Sequence, residues 1–384
     1  AAKYPSDDDA QAMFAEALMN TMPWDYWLDG ENPKPATREV INTLETVIAR
    51  NPQHPLSLHL YIHAVEASSK PERAEDAADM LASLVPGSGH LVHMPSHIYW
   101  RIGRYFDASE ANVRAAAVDE AYIAQCNAQG FYPALYYPHN IHFLWASASM
   151  EGRSAVAIAA GEKVAANVRL EQVREFPAIE FFRTIPLLSY VRFARWEDVL
   201  EYPRPPQELS FSTAIWRYAR AVAMARRGAV AEAQVEVAKM EQLLNTEAIF
   251  LLDGNDYPAS QVLAIARFLA LGELELAKGD GIAAVSSFQK AVAAQDLLPY
   301  TEPPFWYYPT RQSLGSALLT LGDGTAAESV YREDLKHYPR NGWSLMGLSL
   351  ALEQQGRTQE AQETRKRFDS LWERADVVLQ SSIL

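Results

Sequence analysis

The sequence has 384 residues, of which 49% are apolar and 21% are charged, and this globular composition excludes a disordered chain. It carries 34 Lys and Arg against 48 Asp and Glu, a net charge of −14, which argues against a nucleic acid or an anionic membrane as partner. No apolar run reaches the ~18 residues of a membrane span, and the single cysteine, Cys126, excludes a disulfide framework and a cysteine-based zinc or iron–sulfur site.

The N-terminal segment predicts two helices that precede the rest of the fold. The chain starts at Ala1 without an initiator Met, which matches cleavage by a signal peptidase and equally a trimmed sequence. On this basis we expect a periplasmic or secreted protein. Residues 10–21 and 37–50 predict helices that cap the N-terminal end. We place this capping segment at residues 1–55 and a repeat array at residues 56–384.

A short pattern recurs along the array: a glycine that ends one helix, four residues, and an alanine inside the next helix. Six pairs follow it, namely Gly103 and Ala108, Gly152 and Ala157, Gly228 and Ala233, Gly279 and Ala284, Gly322 and Ala327, and Gly356 and Ala361. Two further pairs have the same spacing but depart from the pattern: Ser69 with Ala74 lacks the glycine, and Arg195 with Leu200 lacks both residues. Glycine tolerates the left-handed conformation that ends a helix, and alanine lets two helices approach closely. The pattern therefore predicts about eight helix pairs.

The C-terminal third carries more of a known repeat pattern. Gly315, Ala327, Tyr331 and Pro339 stand 12, 4 and 8 residues apart, and the last unit adds Trp343 and Gly347. With these residues the chain resembles the tetratricopeptide repeat family, over roughly residues 56–372. The resemblance implies an all-α, right-handed solenoid of antiparallel helix pairs whose first helices line a concave groove. Proline-rich segments at 202–206 and 299–309 predict loops between pairs.

Histidines are concentrated in the repeats at residues 56–165, and eight of the nine lie between His54 and His142. Three sets have the spacing of one helix face: His59, His63 and Glu66; His90, His93 and His97; and His139 and His142. Each set falls in the first helix of a predicted pair, so we expect all three to face the same groove. We predict that His54 is a turn residue and that His337 is exposed to solvent.

Pro95 interrupts the second histidine set and leaves two local structures open. Either it kinks one helix that runs from about residue 90, or a helix starts at Pro95 and both His90 and His93 lie on the incoming loop. The similar dipeptides Met94-Pro95 and Tyr137-Pro138 favour a helix start at the proline.

The histidine pattern predicts a metal site. Imidazole is the commonest protein ligand for metals, and Glu66 can add a carboxylate. The expected ligands exceed what one tetrahedral ion can use, so either two or more ions, or one ion with further histidines behind its ligands, fit the count. We favour a multinuclear site held by His59, His63, Glu66, His90, His93, His97, His139 and His142. Copper ions are favoured, because copper(II) leads the affinity order and an exported protein could meet it, with zinc or iron as alternatives. A metal-free polar groove for an acidic or aromatic ligand, and a chance arrangement, are the other interpretations.

The sequence leaves open whether the protein is an enzyme. If coordination positions are open, a copper-dependent oxidoreductase is favoured, and a zinc-dependent hydrolase with Glu66 as general base is the alternative. Tyr136 and Tyr137 flank histidines and are candidate catalytic residues. A non-catalytic scaffold for protein–protein interaction is the competing function, and the net charge would favour a basic partner. We therefore expect a small-molecule substrate or a peptide in the concave groove.

Overall fold

The computed structural model describes residues 3–128, 132–255 and 257–384, and most of these residues are helical. Within those ranges the one β contact is an isolated bridge between Trp27 and Pro33. The predicted all-α class is confirmed. Among the described helices, none is both long enough and apolar enough to cross a membrane.

The chain divides into two compact units, and the first consists of residues 1–147 together with 300–302. Its α-helices are α1 (Asp8–Met19), α2 (Pro35–Arg50), α3 (Pro55–Val65), α4 (Glu75–Leu84), α5 (Gly89–His93), α6 (Pro95–Arg101), α7 (Tyr105–Cys126) and the larger part of α8 (Tyr137–Met150). Helices α1 and α2 pack against each other. They agree with the two predicted N-terminal helices to within two residues at each end.

The second unit consists of residues 148–299 and 303–384. Its α-helices are α9 (Ser154–Asn167), α10 (Leu170–Glu175), α11 (Ile185–Arg192), α12 (Trp196–Glu201), α13 (Ser210–Arg226), α14 (Val230–Glu241), α15 (Glu247–Asp253), α16 (Ala259–Ala277), α17 (Gly281–Asp296), α18 (Arg311–Thr320), α19 (Gly324–His337), α20 (Gly342–Gln354) and α21 (Thr358–Leu371). The proline-rich segments 202–206 and 299–309 are non-helical connections, as predicted.

Tight turns at the predicted glycines join successive helices into pairs. All six glycines adopt a positive φ, between 70° and 83°, namely Gly103, Gly152, Gly228, Gly279, Gly322 and Gly356. All six partner alanines are fully buried, namely Ala108, Ala157, Ala233, Ala284, Ala327 and Ala361. A residue with a Cβ is strained in this left-handed conformation, and a side chain larger than alanine would separate the helices. The repeat pattern is therefore confirmed at these six turns.

The two imperfect pairs differ from the expectation. Ala74 is fully buried as predicted, but a 3₁₀ turn over Pro71–Ala74 replaces the left-handed turn expected near Ser69. The other repeat begins one residue earlier than predicted. Ala194 takes the left-handed conformation at φ 54°, and Val199 is the fully buried residue that follows it. The sequence hides this turn because alanine stands where the other repeats have glycine.

Aromatic side chains fill the space that glycines leave on neighbouring helices. A Cβ on Gly315 in α18 would lie 2.4 Å from Cζ of Tyr331 in α19, and a Cβ on Gly347 in α20 would lie 2.2 Å from the same atom. Gly272 in α16 and the ring of Phe288 in α17 repeat this contact. These three glycines inside helices, unlike most of the turn glycines, are thus sites of close helix packing.

His54 is a turn residue and His337 is exposed to solvent, as predicted. Nδ1 of His54 accepts the backbone N–H of Ser57 at 3.2 Å and so caps α3, and its Nε2 lies 3.0 Å from an oxygen of Asp9. This cap makes His54 the turn residue that precedes the helix. The side chain of His337 is 54% exposed.

Pro95 is the first residue of α6, and α5 ends two residues before it, at His93. Met94, between the two helices, has helical dihedral angles (φ −49°, ψ −39°), and its N–H donates to the carbonyl of His90 at 3.0 Å. His90 and His93 therefore lie on a helix, which corrects the loop expected for them in the helix-start alternative. The helical path continues through Pro95, which has no N–H to donate, to His97, whose N–H donates to the carbonyl of Met94 at 3.2 Å.

Candidate metal centre

Six of the predicted histidines form two groups of three in the first unit. Site A consists of His59 and His63 on α3 and His90 on α5, and site B consists of His93 on α5, His97 on α6 and His139 on α8. Within each group, the potential ligand nitrogens lie within 4.8 Å of one another. A third group of the same compactness, which consists of His63, Glu66 and His97, connects the two sites.

The nitrogens of site B are spaced as ligands of one ion. Nε2 of His93 lies 2.8 Å from Nε2 of His97 and 3.1 Å from Nε2 of His139. Two imidazole nitrogens bound to a common ion at about 2.0–2.1 Å stand about 2.9–3.4 Å apart at tetrahedral or square angles. The observed separations are close to this range, so a small movement of the rings would accommodate an ion.

Hydrogen bonds on the far side of two rings fix their tautomers. Nδ2 of Asn112 donates to the carbonyl of Ala108 at 2.8 Å, which turns its Oδ1 towards Nδ1 of His93 at 2.7 Å. Nδ1 of His93 must therefore carry the proton. Nδ1 of His97 donates to Oε2 of Glu66 in the same way. Both rings consequently direct Nε2 lone pairs at each other, an arrangement that requires a cation or a proton between them.

Glu66 connects the two sites through its two oxygens. Oε1 lies 3.0 Å from Nδ1 of His63, and Oε2 accepts from Nδ1 of His97. Burial would raise the pKa of Glu66, but the charges of His97 and His63 and their hydrogen bonds outweigh burial and hold the pKa below its usual range. One buried carboxylate thus orients one imidazole of each site, which is the common arrangement behind metal-bound histidines.

Site A lies nearer to solvent than the bridging carboxylate. Nε2 of His90 is 3.1 Å from Nε2 of His59, and both rings are half-buried. The rings of His59 and His63 contact edge to face, with centroids 4.9 Å apart. Because Nδ1 of His63 is committed to Glu66, its Nε2 is the nitrogen available to an ion.

Burial keeps most of these imidazoles neutral, which is the form that binds a metal. Burial, followed by the charges of neighbouring imidazoles, lowers the pKa of His90 to about 3 and holds the pKa of His93 and of His139 well below the usual range. His97 differs. Burial would lower its pKa too, but the adjacent carboxylate of Glu66 outweighs burial and raises it.

Glu302 is a site residue that the sequence analysis did not find. It belongs to the first unit, is 7% exposed, and places Oε2 3.5 Å from Nδ1 of His97. Burial and then the charge of Glu66 raise its pKa to about 8, and the hydroxyl of Tyr300 donates to its Oε1. The residue lies in a proline-rich loop far along the chain, and no spacing pattern connects it to the histidines.

Asn112 was also missed, although the sequence carries a signal for it. It is fully buried on α7, on a face otherwise formed by small residues such as Ala108, Ala111 and Ala115. A polar side chain on a buried alanine face has a specific partner, because an unpaired buried amide is costly. Here the partner is His93.

The remaining predicted site residues lie around the two groups. His142 is buried with its ring stacked on Trp145, with centroids 5.2 Å apart, and belongs to none of the three groups. The hydroxyl of Tyr137 donates to Oε1 of Glu120 at 2.9 Å. Burial and this carboxylate raise the pKa of Tyr137 above its usual range, so its hydroxyl stays protonated.

Two exposed aromatic side chains border site A. The ring of Tyr136 contacts the ring of His90, with centroids 5.4 Å apart, and the residue is 37% exposed. Trp24 is 70% exposed, has a positive φ of 63°, and places its ring edge-on to His63 at 5.1 Å. These rings form an aromatic border on the solvent side of the histidines.

No family model and no curated protein matches the chain. Similar solved structures include a human IFIT1 dimer with m7Gppp-AAAA, which is 14% identical, with 95% of this chain and 72% of that chain covered and a TM-score of 0.35. Yeast Tom70 is 12% identical (95% and 93% covered, TM-score 0.28), and the TPR domain of P58(IPK) is 11% identical (95% and 93% covered, TM-score 0.26). Similarity at this level assigns no function. The helix pairs, glycine turns and glycine–tyrosine contacts described above are themselves tetratricopeptide-like, as the sequence predicts.

Proposed function

We propose that the first unit binds two metal ions, one in site A and one in site B, that copper is the favoured metal, and that the ions carry out redox chemistry on a small molecule. The observation that supports this most is the 2.8 Å separation of two Nε2 atoms in site B, on rings whose Nδ1 protons are committed to Asn112 and Glu66. Without metal, a proton on Nε2 of His97, whose pKa Glu66 raises, can join the two nitrogens, and a metal ion that displaces this proton would bind both of them.

The donor set supports copper. Each site offers three imidazoles, and the one cysteine of the chain, Cys126, lies exposed outside both sites. Neutral imidazoles suit copper, zinc, nickel and non-haem iron, and copper(II) leads the affinity order among divalent first-row ions. Zinc and iron are the alternatives.

Three protein ligands leave a coordination position for water or substrate, which is the pattern of catalytic sites. Site A has the access that a substrate needs, because His59 and His90 are half-buried and Tyr136 and Trp24 border the site. The protein's part is then to hold the imidazoles, to direct their Nε2 atoms inward through the Nδ1 hydrogen bonds to Glu66 and Asn112, and to admit the substrate past the aromatic border.

Metal analysis of matched variants tests the two sites. Purified protein loaded with copper and freed of excess ions should hold two ions per chain. His59→Ala with His90→Ala should hold one, and so should His93→Ala with His139→Ala, while His337→Ala, at an exposed position, should still hold two. Circular dichroism checks that the variants fold. Wild-type protein that holds no metal, or double variants that both hold two ions, would overturn the proposal.

Redox function has its own test. Copper-loaded protein should lose its copper(II) paramagnetic signal when ascorbate donates electrons, and should regain the signal when oxygen accepts them. If the bound copper stays permanently reduced or permanently oxidised, the proposed metal binding stands and the proposed oxidoreductase function is wrong. The absorption and paramagnetic spectra of the protein as isolated distinguish copper from zinc.

The structure supports the zinc-dependent hydrolase less well than the sequence does. A general base must have an oxygen within reach of the metal-bound water, and both oxygens of Glu66 are engaged by imidazole nitrogens. Glu66 is therefore proposed as a positioning residue. An interaction scaffold remains compatible with tetratricopeptide-like helix pairs, and it becomes the better account if both wild-type and variant proteins lack metal.

A further inference from the structure

A second polar site lies in the second unit, with no part of the histidine cluster in it. A cavity of about 30 Å³ is lined by residues of α11, α12, α13 and α16, by the 303–313 segment and by Ile383 and Leu384; the polar side chains are Arg192, Tyr218, Arg226, Glu273, Tyr307, Tyr308 and Ser313. A volume of 10–15 Å³ holds about one water molecule, so the cavity has room for a group the size of a carboxylate.

Arg192 presents an uncommitted pair of donors. The residue is 5% exposed, and its Nε and Nη2 have no hydrogen-bond partner. These two nitrogens form the side-on fork of the guanidinium, which matches the two oxygens of a carboxylate. The group is held in place by stacking, because its Cζ lies 3.6 Å from the ring centroid of Trp343 and 5.0 Å from that of Tyr308.

Arg192 makes no ion pair within 4 Å among the described residues, although the charge of Asp334 acts on it from farther away. Glu273, the acid that lines the cavity, is already paired with Arg226 through two contacts, at 2.5 Å and 2.8 Å. The nearby buried Asp334 accepts hydrogen bonds from Ser344 and Asn341 with the same oxygen and makes no ion pair with Arg192. Burial lowers the pKa of Arg192 to about 10, so it stays charged at neutral pH. A buried guanidinium whose donors are unpaired is unfavourable, and an anion that accepts from them would relieve this cost.

Hydroxyl groups around the cavity add spare donors. The hydroxyls of Tyr218 and Tyr307 lie 2.8 Å apart, and those of Tyr308 and Ser313 also lie 2.8 Å apart. Within each pair one hydroxyl donates to the other, and the second hydrogen remains free to donate elsewhere. The cavity thus combines one fixed positive charge with uncommitted O–H groups, and Val222 and Leu269 contribute apolar wall.

We propose that this cavity binds the carboxylate of a small organic acid, with the Arg192 side-on fork as its main partner; the cavity is partly open, so the short apolar chain of the acid need not fit wholly inside it. The site belongs to the second unit, so its occupancy is independent of metal in the first. Butyrate is the matched probe, because butyramide has the same size and lacks the charge.

Isothermal titration of the full chain with sodium butyrate, at an ionic strength held constant with sodium chloride, tests the proposal. Saturable binding of one butyrate per chain is expected, with no binding of butyramide. Arg192→Lys keeps the positive charge and removes the fork, and it should weaken butyrate binding at least about tenfold. Arg195→Lys, in which an exposed arginine paired with Asp198 is changed, should leave binding unaltered.

Two results would overturn the proposal. Wild-type protein that binds butyrate no better than butyramide contradicts it without reference to any variant, so the test stands even if Arg192→Lys fails to fold. Equal butyrate binding by wild-type protein and a folded Arg192→Lys variant would place the anion elsewhere.

Discussion

The variant Glu66→Gln tests whether Glu66 orients one histidine of each site or is itself an ordinary metal ligand. The carboxylate accepts from Nδ1 of both His63 and His97, whereas the amide of a glutamine side chain offers one oxygen and one NH₂ group. The amide oxygen can accept from one Nδ1–H, but the NH₂ group then faces the other Nδ1–H, donor against donor. The opposed ring then keeps its proton on Nε2, where it blocks a metal ion. Glu66→Gln should therefore weaken one site severely and the other mildly.

The magnitude follows from the loss of an orienting partner. Removal of a carboxylate behind a metal-bound histidine costs about 10–100-fold in affinity, which is about 1.4–2.7 kcal/mol. The copper binding constant of the site with the opposed ring should therefore fall by at least about 10–100-fold, and that of the other site by less. A competition titration against a chromogenic copper chelator measures both constants, and circular dichroism confirms the fold.

The control variants separate geometry from charge. Asp25→Asn removes one negative charge from an exposed residue that pairs with Lys34, and should leave both constants unchanged. Glu302→Gln should affect site B alone, and weakly, because its oxygen lies 3.5 Å from Nδ1 of His97. If Glu66→Gln binds two copper ions as tightly as wild type does, the bridging role of the carboxylate is wrong.

Three further predictions concern stability, each measured by denaturant or thermal unfolding. Ala194→Gly should stabilise the protein by about 1 kcal/mol, because Ala194 holds a φ of 54° where the other repeats have glycine; an unchanged or lower stability would contradict the strain. Gly347→Ala should destabilise by about 1–3 kcal/mol through its clash with Tyr331, whereas Gly87→Ala, with nothing within 4 Å, should be close to neutral. Burial lowers the pKa of His142 from 6.5 to about 3, so the unfolded chain binds more protons and stability falls as the pH drops below 6.5. His142→Leu should flatten this dependence by at most about 1.4 kcal/mol per pH unit, and an identical pH profile would refute the assignment.

The repeat turns could be predicted because glycine is required where φ is positive. All six glycines of the pattern have that conformation, and all six partner alanines are fully buried. The turn at Ala194 could not be placed correctly, since alanine gives no sign in the sequence of the left-handed conformation that tertiary packing imposes on it. The 3₁₀ turn before α4 was missed for a similar reason. Ser69 stands at the position of the turn glycine in the repeat pattern, but the chain turns instead at Pro71–Ala74.

The histidines of the candidate site could be predicted from helix spacing, but the partners of their ring nitrogens could not all be predicted. Periodicity places His59, His63, His93 and His97 on helix faces, but it says nothing about which ring nitrogen carries a proton. That information comes from Asn112 and Glu66, through contacts between different helices. Glu302 reaches the site through a loop, where no periodicity operates, and so it could be found only from the fold.

Anomalous X-ray diffraction at the copper absorption edge, on crystals of copper-loaded protein, tests the central claim most directly. Two peaks per chain are expected, one among the Nε2 atoms of His93, His97 and His139 and one among the nitrogens of His59, His63 and His90, each about 2.0–2.1 Å from its ligands. A map with no peak at either group, or with peaks only on surface residues such as His337, would contradict the account.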